Sequence, residues 1–545
     1  MTKSPSLNSS KLQFSRDFHL KKIPRNIELL FQKGNHQLPF VTKPTRTMSG
    51  VAPLAIMTKP FRCPEQAQCT FCPGGPGSVY GDTPKSYPGG SPAHMRAMRN
   101  HYDSYLQVFN RLEHYALLGQ DFSKIELIIM GGTFMSYPRV YRDAFITDAL
   151  QGMNDFSQMF FEHGTFLWEK FLSFFELPGD LQNAERFAKV QRKVLALKQE
   201  STLEREQARN ETSPVRCVVF CVETRSDCSR HVHIDEMLRL GVTRVEVGIQ
   251  SVYDDVLQRV KRGNTNHDNI LATQLLKDSF LKVGYHVMIG LPGSTPERDV
   301  AMFTTLFEDP SYKPDALKIY PCLVFKGTEV YEEWKRGDFV PLTAHEAAEL
   351  IVKMKQVVPP YCRIMRIQRD IPTHMIDAGV ERTNLRQDIH ELMQKRGIVC
   401  HCIRCREPKR KNIAWDAVKM KRLDYEASQG QEIFLSMEDT QQDLLLGFTR
   451  LRIPFQPYRP EITFQSAGIR EIHVYGMAVP VGKEAEMKDV QHRGIGTQLM
   501  LEAEKIAREE FDTKKMLVMS GIGVREWFIK KLGYQKDGAY VSKTL

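Results

Sequence analysis

The sequence predicts an α/β protein: a parallel sheet with helical crossovers, open or partly closed into a barrel, followed by a smaller α+β domain. Short apolar runs rich in Val and Ile recur from residue 51 to residue 320, most followed by Gly, Pro or a polar turn and then a longer helical stretch. From about residue 412 the runs change to an antiparallel pattern. The length, 545 residues, allows two to four domains at about 150 residues each.

Six strands are expected in the first domain, at 51–57 (VAPLAIM), 125–130 (IELIIM), 215–222 (VRCVVFCV), 243–249 (TRVEVGI), 285–289 (YHVMI) and 316–320 (ALKIY). In such a sheet the reactive residues belong on loops at the C-terminal strand ends, and the motifs fall there. The stretch 156–212, first aromatic and then charged, reads as a helical insertion between the second and third strands. In the second domain EIFLSMED, DLLLGFTRLRI and IREIHVYGMAV read as strands, followed by a helix from Gly494 to about Glu510 and a strand at KKMLVMS. The divisions are a basic arm over 1–50, a first domain over 51–385, a cysteine-containing connector over 386–411 and a second domain over 412–545.

Lys plus Arg number 75 against 65 Asp plus Glu, with 42% hydrophobic and 26% charged residues, which excludes a disordered chain. No apolar run reaches the roughly 18 residues that span a bilayer, and the N-terminus lacks the apolar stretch of a secretory signal, so the expected compartment is the cytosol with no membrane partner. Charge is uneven: residues 1–50 hold nine basic residues against Asp17 and Glu28, and residues 363–411 hold twelve basic against six acidic. Two basic segments fit a polyanion such as nucleic acid, or a solvated arm.

Eleven cysteines in a chain of this kind are read as metal ligands or free thiols. Cys63, Cys69 and Cys72 form C-x5-C-x2-C directly after the first strand, ahead of the flexible PGGPG. Three thiolates on one loop can hold three irons of a four-iron, four-sulfur (4Fe-4S) cluster and leave the fourth iron open to a small molecule; zinc is the structural alternative, with no obvious fourth ligand nearby. Cys400, Cys402 and Cys405 form C-x-C-x2-C in the connector, a spacing that suits a structural zinc with His401, His390 or Cys322 as fourth ligand, or reduced thiols. Cys217, Cys221, Cys228 and Cys362 show no ligand spacing and read as buried thiols. Near the second domain's helix, Gln491, Gly494 and Gly496 lie where a loop enters the helix, a pattern whose exposed backbone N–H groups and helix N-terminus suit a diphosphate.

With these motifs the chain resembles the radical S-adenosylmethionine enzymes, and more narrowly the catalytic subunit of Elongator and its stand-alone archaeal and bacterial relatives. The resemblance rests on CTFCPGGPG, MGGTFMS at 130–136, VETRSD at 222–227, EVGIQSVYDDVL at 246–257, MIGLPGS at 288–294, KIYPCLV at 318–324, RIQRDIP at 366–372, and a terminal domain like the GCN5-related (GNAT) acetyltransferases. It implies a partial (β/α)6 barrel of the radical SAM type followed by an α+β GNAT-type domain. It implies a 4Fe-4S cluster on Cys63, Cys69 and Cys72, with S-adenosylmethionine against Gly131, Gly132, Glu223, Arg225 and Gln250. Lys318 and Tyr320, candidate catalytic residues, would complete the bowl with Arg366, Gln368 and Arg369 and hold substrate phosphate or thioester oxygen. Acetyl-CoA is implied against Lys124, Glu471, Ile472, His473 and Val474 at its acyl arm, and against Gln491, Gly494, Ile495, Gly496 and Thr497 at its pyrophosphate.

The implied activity is modification of the wobble uridine of tRNA. Reductive cleavage of S-adenosylmethionine would allow hydrogen abstraction from the acetyl methyl of acetyl-CoA, addition of that carbon to C5 of uracil, and thioester hydrolysis to 5-carboxymethyluridine. The basic arm and connector would grip the anticodon stem-loop, and Elongator-like subunits or a second copy are the implied protein partners. A protein lysine acetyltransferase, with the first domain as a nucleic-acid-binding scaffold, is the alternative; an RNA-binding assembly module with relic sites is a third. The chain departs from the family pattern twice. Five residues separate Cys63 from Cys69, and Trp527 and Phe528 stand where relatives carry adjacent tyrosines, leaving Tyr534 and Tyr540 as the nearest hydroxyls.

Overall fold

The computed structural model of the protein describes residues 47, 49–409, 411–476 and 494–545. Nearly all of the expected basic arm, and Gln491, lie outside the described residues.

Strands β1 (Ala52–Met57), β2 (Lys124–Met130), β3 (Arg216–Thr224), β4 (Arg244–Gln250), β5 (Lys282–Ile289), β6 (Ala316–Pro321) and β7 (Arg363–Ile367) lie side by side in chain order, every neighbouring pair parallel. Among the described residues β1 and β7 do not pair, so the sheet curls into a partial barrel without closing. Covered on both faces, the central strands are apolar almost without interruption, as in β4, where Val245, Val247 and Ile249 are all buried. The expected count of six strands is corrected to seven. β7, RIMRI, escapes an apolar-run reading because Arg363 and Arg366 interrupt it; Arg363 is neutralised by Glu407, its Nε 2.9 Å from the carboxylate.

Helices α1 (Ser104–Leu117), α2 (Arg139–Phe160), α3 (Ala184–Leu197), α4 (Leu203–Thr212) and α5 (Asn266–Asp278) are among those covering the outside. The 156–212 stretch has two structural jobs. Its aromatic part closes a satellite core, where Phe156, Phe160, Phe171 and Phe175 are buried against one another and Phe122. Its charged part includes α4, whose Glu211 meets Arg525 at 3.2 Å and Lys536 at 2.8 Å in the second domain.

That domain is a second sheet. β8 (Val418–Ala427), β9 (Gly430–Asp439), β10 (Leu444–Ile453) and β11 (Ser466–Val474) run antiparallel in order; β12 (Lys515–Val518) is parallel to β11, and β13 (Gln535–Asp537) and β14 (Tyr540–Thr544) finish the far edge. Helices α6 (Ile495–Phe511) and α7 (Arg525–Leu532) complete it, α6 packing on β9, β10 and β11. β8 is an edge strand with mostly exposed side chains, hence its polar sequence.

The second domain covers the N-terminal ends of the barrel strands, opposite the cysteine loop. Three glycines permit the contact: a Cβ on Gly468 would collide with the Phe280 ring, one on Gly521 with the Val218 carbonyl, and one on Gly523 with the Arg216 side chain. Charges buried between the domains are paired. Arg470 bridges Asp315 at 2.7 Å and Glu432 at 2.8 Å, and Arg452 bridges Asp278 at 2.5 Å and Glu432 at 3.0 Å. Unpaired, any of these would be strongly destabilising, so the network fixes how the domains meet.

Candidate active site

At the C-terminal ends of the strands lies a cavity of about 680 Å³, and the loop after β1 brings Cys63, Cys69 and Cys72 to its wall. Each sulfur has its own neighbour: Thr133 Oγ1 lies 3.8 Å from Cys63 Sγ, Arg262 Nη1 donates to Cys69 Sγ at 3.5 Å, and the Ser86 amide donates to Cys72 Sγ at 3.3 Å. The three sulfurs do not gather within 4.8 Å of one another, as the connector sulfurs do. A single tetrahedral zinc at Zn–S of about 2.3 Å would draw sulfurs to about 3.8 Å apart. The wider spread suits a cluster, in which each thiolate holds a different iron.

Opposite the cysteines the strand ends supply polar groups. Gln250 stands at φ +66°, a left-handed conformation that is strained for a non-glycine, and its buried Oε1 has no partner; nor has the buried Thr224 Oγ1 beside it on the wall. These orphaned acceptors in a lined cavity fit a polar ligand such as S-adenosylmethionine. Gly132, at φ +117°, lines the cavity, whereas Gly131 packs against Thr58 and accepts from the Tyr137 hydroxyl at 2.6 Å. Arg225 lines the wall with its guanidinium bidentate on Asp227, both bonds 2.9 Å, and donates to the Arg262 carbonyl at 2.7 Å.

The floor is a set of ion pairs inside the barrel. Glu223, on the lining, meets Lys318 Nζ at 2.9 Å; Lys318 also pairs with Glu246, which holds His286 and Arg244. Burial disfavours the charge on Glu223, yet Lys318 and His286 hold its carboxyl below the usual range. Burial likewise opposes the Lys318 ammonium, and Glu246 and Glu223 keep it well above the ordinary lysine value. Lys318 is therefore a fixed cation reaching the cavity through Glu223. Tyr320 lines the cavity directly, its phenol kept neutral by burial.

Residues 59–305 match the Radical SAM superfamily and residues 314–395 the Radical SAM C-terminal domain. The chain is 46% identical over 509 residues to the tRNA uridine(34) acetyltransferase of Methanocaldococcus jannaschii, spanning 92% of this chain and 86% of that one. It is 39% identical over 557 residues to Elongator complex protein 3 of Schizosaccharomyces pombe, spanning 99% and 94%. The chain belongs to this family. The solved structure of Methanocaldococcus infernus Elp3 with residues 1–46 deleted matches it with a TM-score of 0.73 at 40% identity, covering 92% of this chain and 100% of that one.

The residues expected to meet acetyl-CoA fall mostly on the other domain. β11 pairs with β10 as far as Val474 but with β12 only over Ser466–Ile469, so the sheet splays beside Glu471, Ile472, His473 and Val474. Glu471 does not offer its side chain: Lys282 and Arg450 take it, and against the effect of burial they hold its carboxyl at about 2. Burial pushes His473 down to about 4, and its Nε2–H donates to the Ser49 carbonyl at 3.0 Å. Gly494, at φ +77°, precedes α6, and Gly496 sits beside the Trp527 ring. Among the described residues no side chain caps the first amides of α6, at Ile495, Gly496 and Thr497, which form a helix N-terminus. Lys124 opens β2 in register with Arg216, whose side chain packs on Gly523, which puts Lys124 at the seam between the domains. The hydroxyls of Tyr534 and Tyr540 are engaged elsewhere, donating to Glu504 at 2.8 Å and to the Ser279 carbonyl at 3.1 Å.

In the connector, Cys400, Cys402 and Cys405 bring their sulfurs within 4.8 Å of one another. The expected fourth ligands are elsewhere: His401 faces Asp443 at 3.2 Å, His390 is exposed, and Cys322 is buried with Phe71 and Val324 on the barrel. Lys355 Nζ stands 3.6 Å from Cys405 Sγ instead.

Sequence reasoning missed Arg262, His286, Thr224 and Ser86. Arg262 follows no motif; its local signal is Gly248, where a Cβ would stand 2.8 Å from the guanidinium whose Nη2 donates to the Gly248 carbonyl at 2.6 Å.

Proposed function

We propose that this protein modifies uridine 34 of tRNA at carbon 5, taking two carbons from acetyl-CoA and leaving 5-carboxymethyluridine. The observation that carries this reading is the pairing of two sites through one barrel. A cysteine triad with an orphaned polar wall occupies one end, and the splayed strand of the second sheet docks at the other, joined to the barrel by the Lys282–Glu471 pair. The names of the relatives, tRNA uridine(34) acetyltransferase and Elongator complex protein 3, support the same substrate.

In this reading Cys63, Cys69 and Cys72 hold a 4Fe-4S cluster, and Gly132, Thr224, Arg225 and Gln250 hold S-adenosylmethionine beside it. When bound, the pair supplies one-electron chemistry able to activate an unreactive C–H bond. The chain's own part is to exclude water and fix charge: Lys318 and Glu223 neutralise each other beneath the ligand, and Tyr320 offers a neutral hydroxyl to a substrate oxygen. The splayed edge of β11 holds the acyl arm through backbone groups, and the N-terminus of α6 holds the pyrophosphate. With Tyr534 and Tyr540 committed to Glu504 and Ser279, no hydroxyl among these is placed to protonate a leaving thiolate, which argues against ordinary lysine acetyl transfer. Basic residues at the cavity, Arg366 and Arg369, meet tRNA phosphates, and the connector triad holds a structural zinc. Among the described residues no helix is long and apolar enough to cross a membrane, and the proposed site of action is the cytosol.

The test is anaerobic incubation of reconstituted protein with tRNA, reductant, S-adenosylmethionine and acetyl-CoA, followed by nucleoside mass spectrometry. 5-Carboxymethyluridine should require every component. Acetyl-CoA consumption without modified uridine, in protein whose cluster is verified, would reject the reading.

A further inference from the structure

One chain of contacts joins the outer wall of the cavity to a cysteine sulfur. Arg369 lies between two aromatic rings, its guanidinium carbon 5.8 Å from the Tyr87 centroid and 5.7 Å from that of Tyr320, in cation–π range of both. Its Nη2 donates to the Ser86 carbonyl at 2.6 Å, and the amide of the same Ser86 donates to Cys72 Sγ at 3.3 Å. Ser86 holds φ +73°, a left-handed conformation that a serine keeps only when its surroundings over-determine it. Its backbone is pulled from both sides, by Cys72 at the amide and by Arg369 at the carbonyl. All five residues line the cavity.

We propose that Ser86 and Arg369 are positioning residues for the cluster, a relay in which Arg369 holds Ser86 in its strained conformation and thereby sets the hydrogen bond on the Cys72 sulfur. This rests on the reading of Cys63, Cys69 and Cys72 as cluster ligands. Donation to a ligating sulfur stabilises the more negative, reduced cluster, so its loss lowers the midpoint potential. Among the described residues no protein acceptor takes the remaining N–H groups of Arg369. An anionic oxygen bound there draws the guanidinium and, through Ser86, alters the sulfur's hydrogen bond. The arrival of a tRNA phosphate is thus registered at the cluster.

Neighbouring Arg366 supplies the control: it faces the same cavity but pairs with Asp370 at 3.1 Å and does not touch Ser86. The experiment is a redox titration of reconstituted full-length protein, read by electron paramagnetic resonance, with iron content measured on each sample. Arg369→Ala should lower the midpoint or impair cluster loading, while Arg366→Ala keeps the wild-type midpoint and iron loading in the absence of tRNA. Ser86→Gly, which keeps the amide and adopts φ +73° without strain, should also match wild type. Adding tRNA should move the wild-type midpoint and leave that of Arg369→Ala in place. Equal midpoints and loading in Arg369→Ala and wild type, equal effects of Arg369→Ala and Arg366→Ala, or a tRNA response that survives Arg369→Ala would overturn the relay. Wild-type protein that binds no iron would instead reject the cluster reading itself.

Discussion

The two cysteine triads differ little on paper, C-x5-C-x2-C against C-x-C-x2-C, and a great deal in space. The sulfurs of Cys63, Cys69 and Cys72 stand apart on a cavity wall, each with a separate neighbour in Thr133, Arg262 or Ser86. Those of Cys400, Cys402 and Cys405 close to within 4.8 Å with Lys355 against them. The first faces a cavity of about 680 Å³, space for a group larger than one ion and for a ligand beside it; the second has the close spacing that a single tetrahedral ion would draw together. Sulfur geometry and the space in front of it, more than ligand count, separate a reactive site from a structural one.

The sharpest way to break this comparison is to mutate one cysteine in each triad. Cys69→Ala should lose cluster iron and reduce uridine modification to background while the melting temperature stays near wild type. Cys402→Ala should keep the iron signal and lose stability, by about 3 kcal/mol in denaturant unfolding, as expected when a structural ligand set is broken. A reversed pattern would mean that the roles of the triads are exchanged. Next in size is the buried network between the domains. Asp315→Ala takes from Arg470 its bidentate partner and leaves it Glu432 alone, and should cost about 3–5 kcal/mol, read by urea unfolding, without altering iron loading.

Acid sharpens the contrast from another side. His473, held at about 4 against an ordinary 6.5, binds its proton more readily in the unfolded chain. Its contribution is complete above pH 6.5 and is lost as pH falls toward 4, an expected decline of about 3 kcal/mol that His473→Gln should flatten in a pH series of unfolding curves. Glu471, held at about 2, adds a further loss between the ordinary carboxylate range and pH 2. The smallest effect belongs to the insertion. Glu211→Ala removes two partly exposed ion pairs, to Arg525 and Lys536, and should cost about 1 kcal/mol or less.

The strands that were legible are those whose burial on both faces demands continuous apolar residues, β2 to β6 above all. β7 and β8 were not, because charge interrupts the first and solvent covers the second. The cysteine loop was legible because its three thiols lie close in sequence on one loop. Arg262 and His286 were invisible for the opposite reason: they reach the site from elements far from the cysteine loop in the chain, and nothing local marks Arg262 except Gly248, which clears its path. Glu471 shows the converse error. Its place on the strand came from the resemblance, and the partners that claim its carboxylate, Lys282 of the other domain and Arg450 of the neighbouring strand, are not marked in the sequence around it.

If the two sites act on one acetyl group, both of its carbons reach uridine 34. The direct test supplies acetyl-CoA labelled with carbon-13 at both acetyl carbons to the complete anaerobic reaction and weighs the nucleosides released from tRNA. 5-Carboxymethyluridine heavier by both labels is expected, and none in Cys69→Ala. Modified uridine without label, or label recovered only on protein lysines, would contradict it.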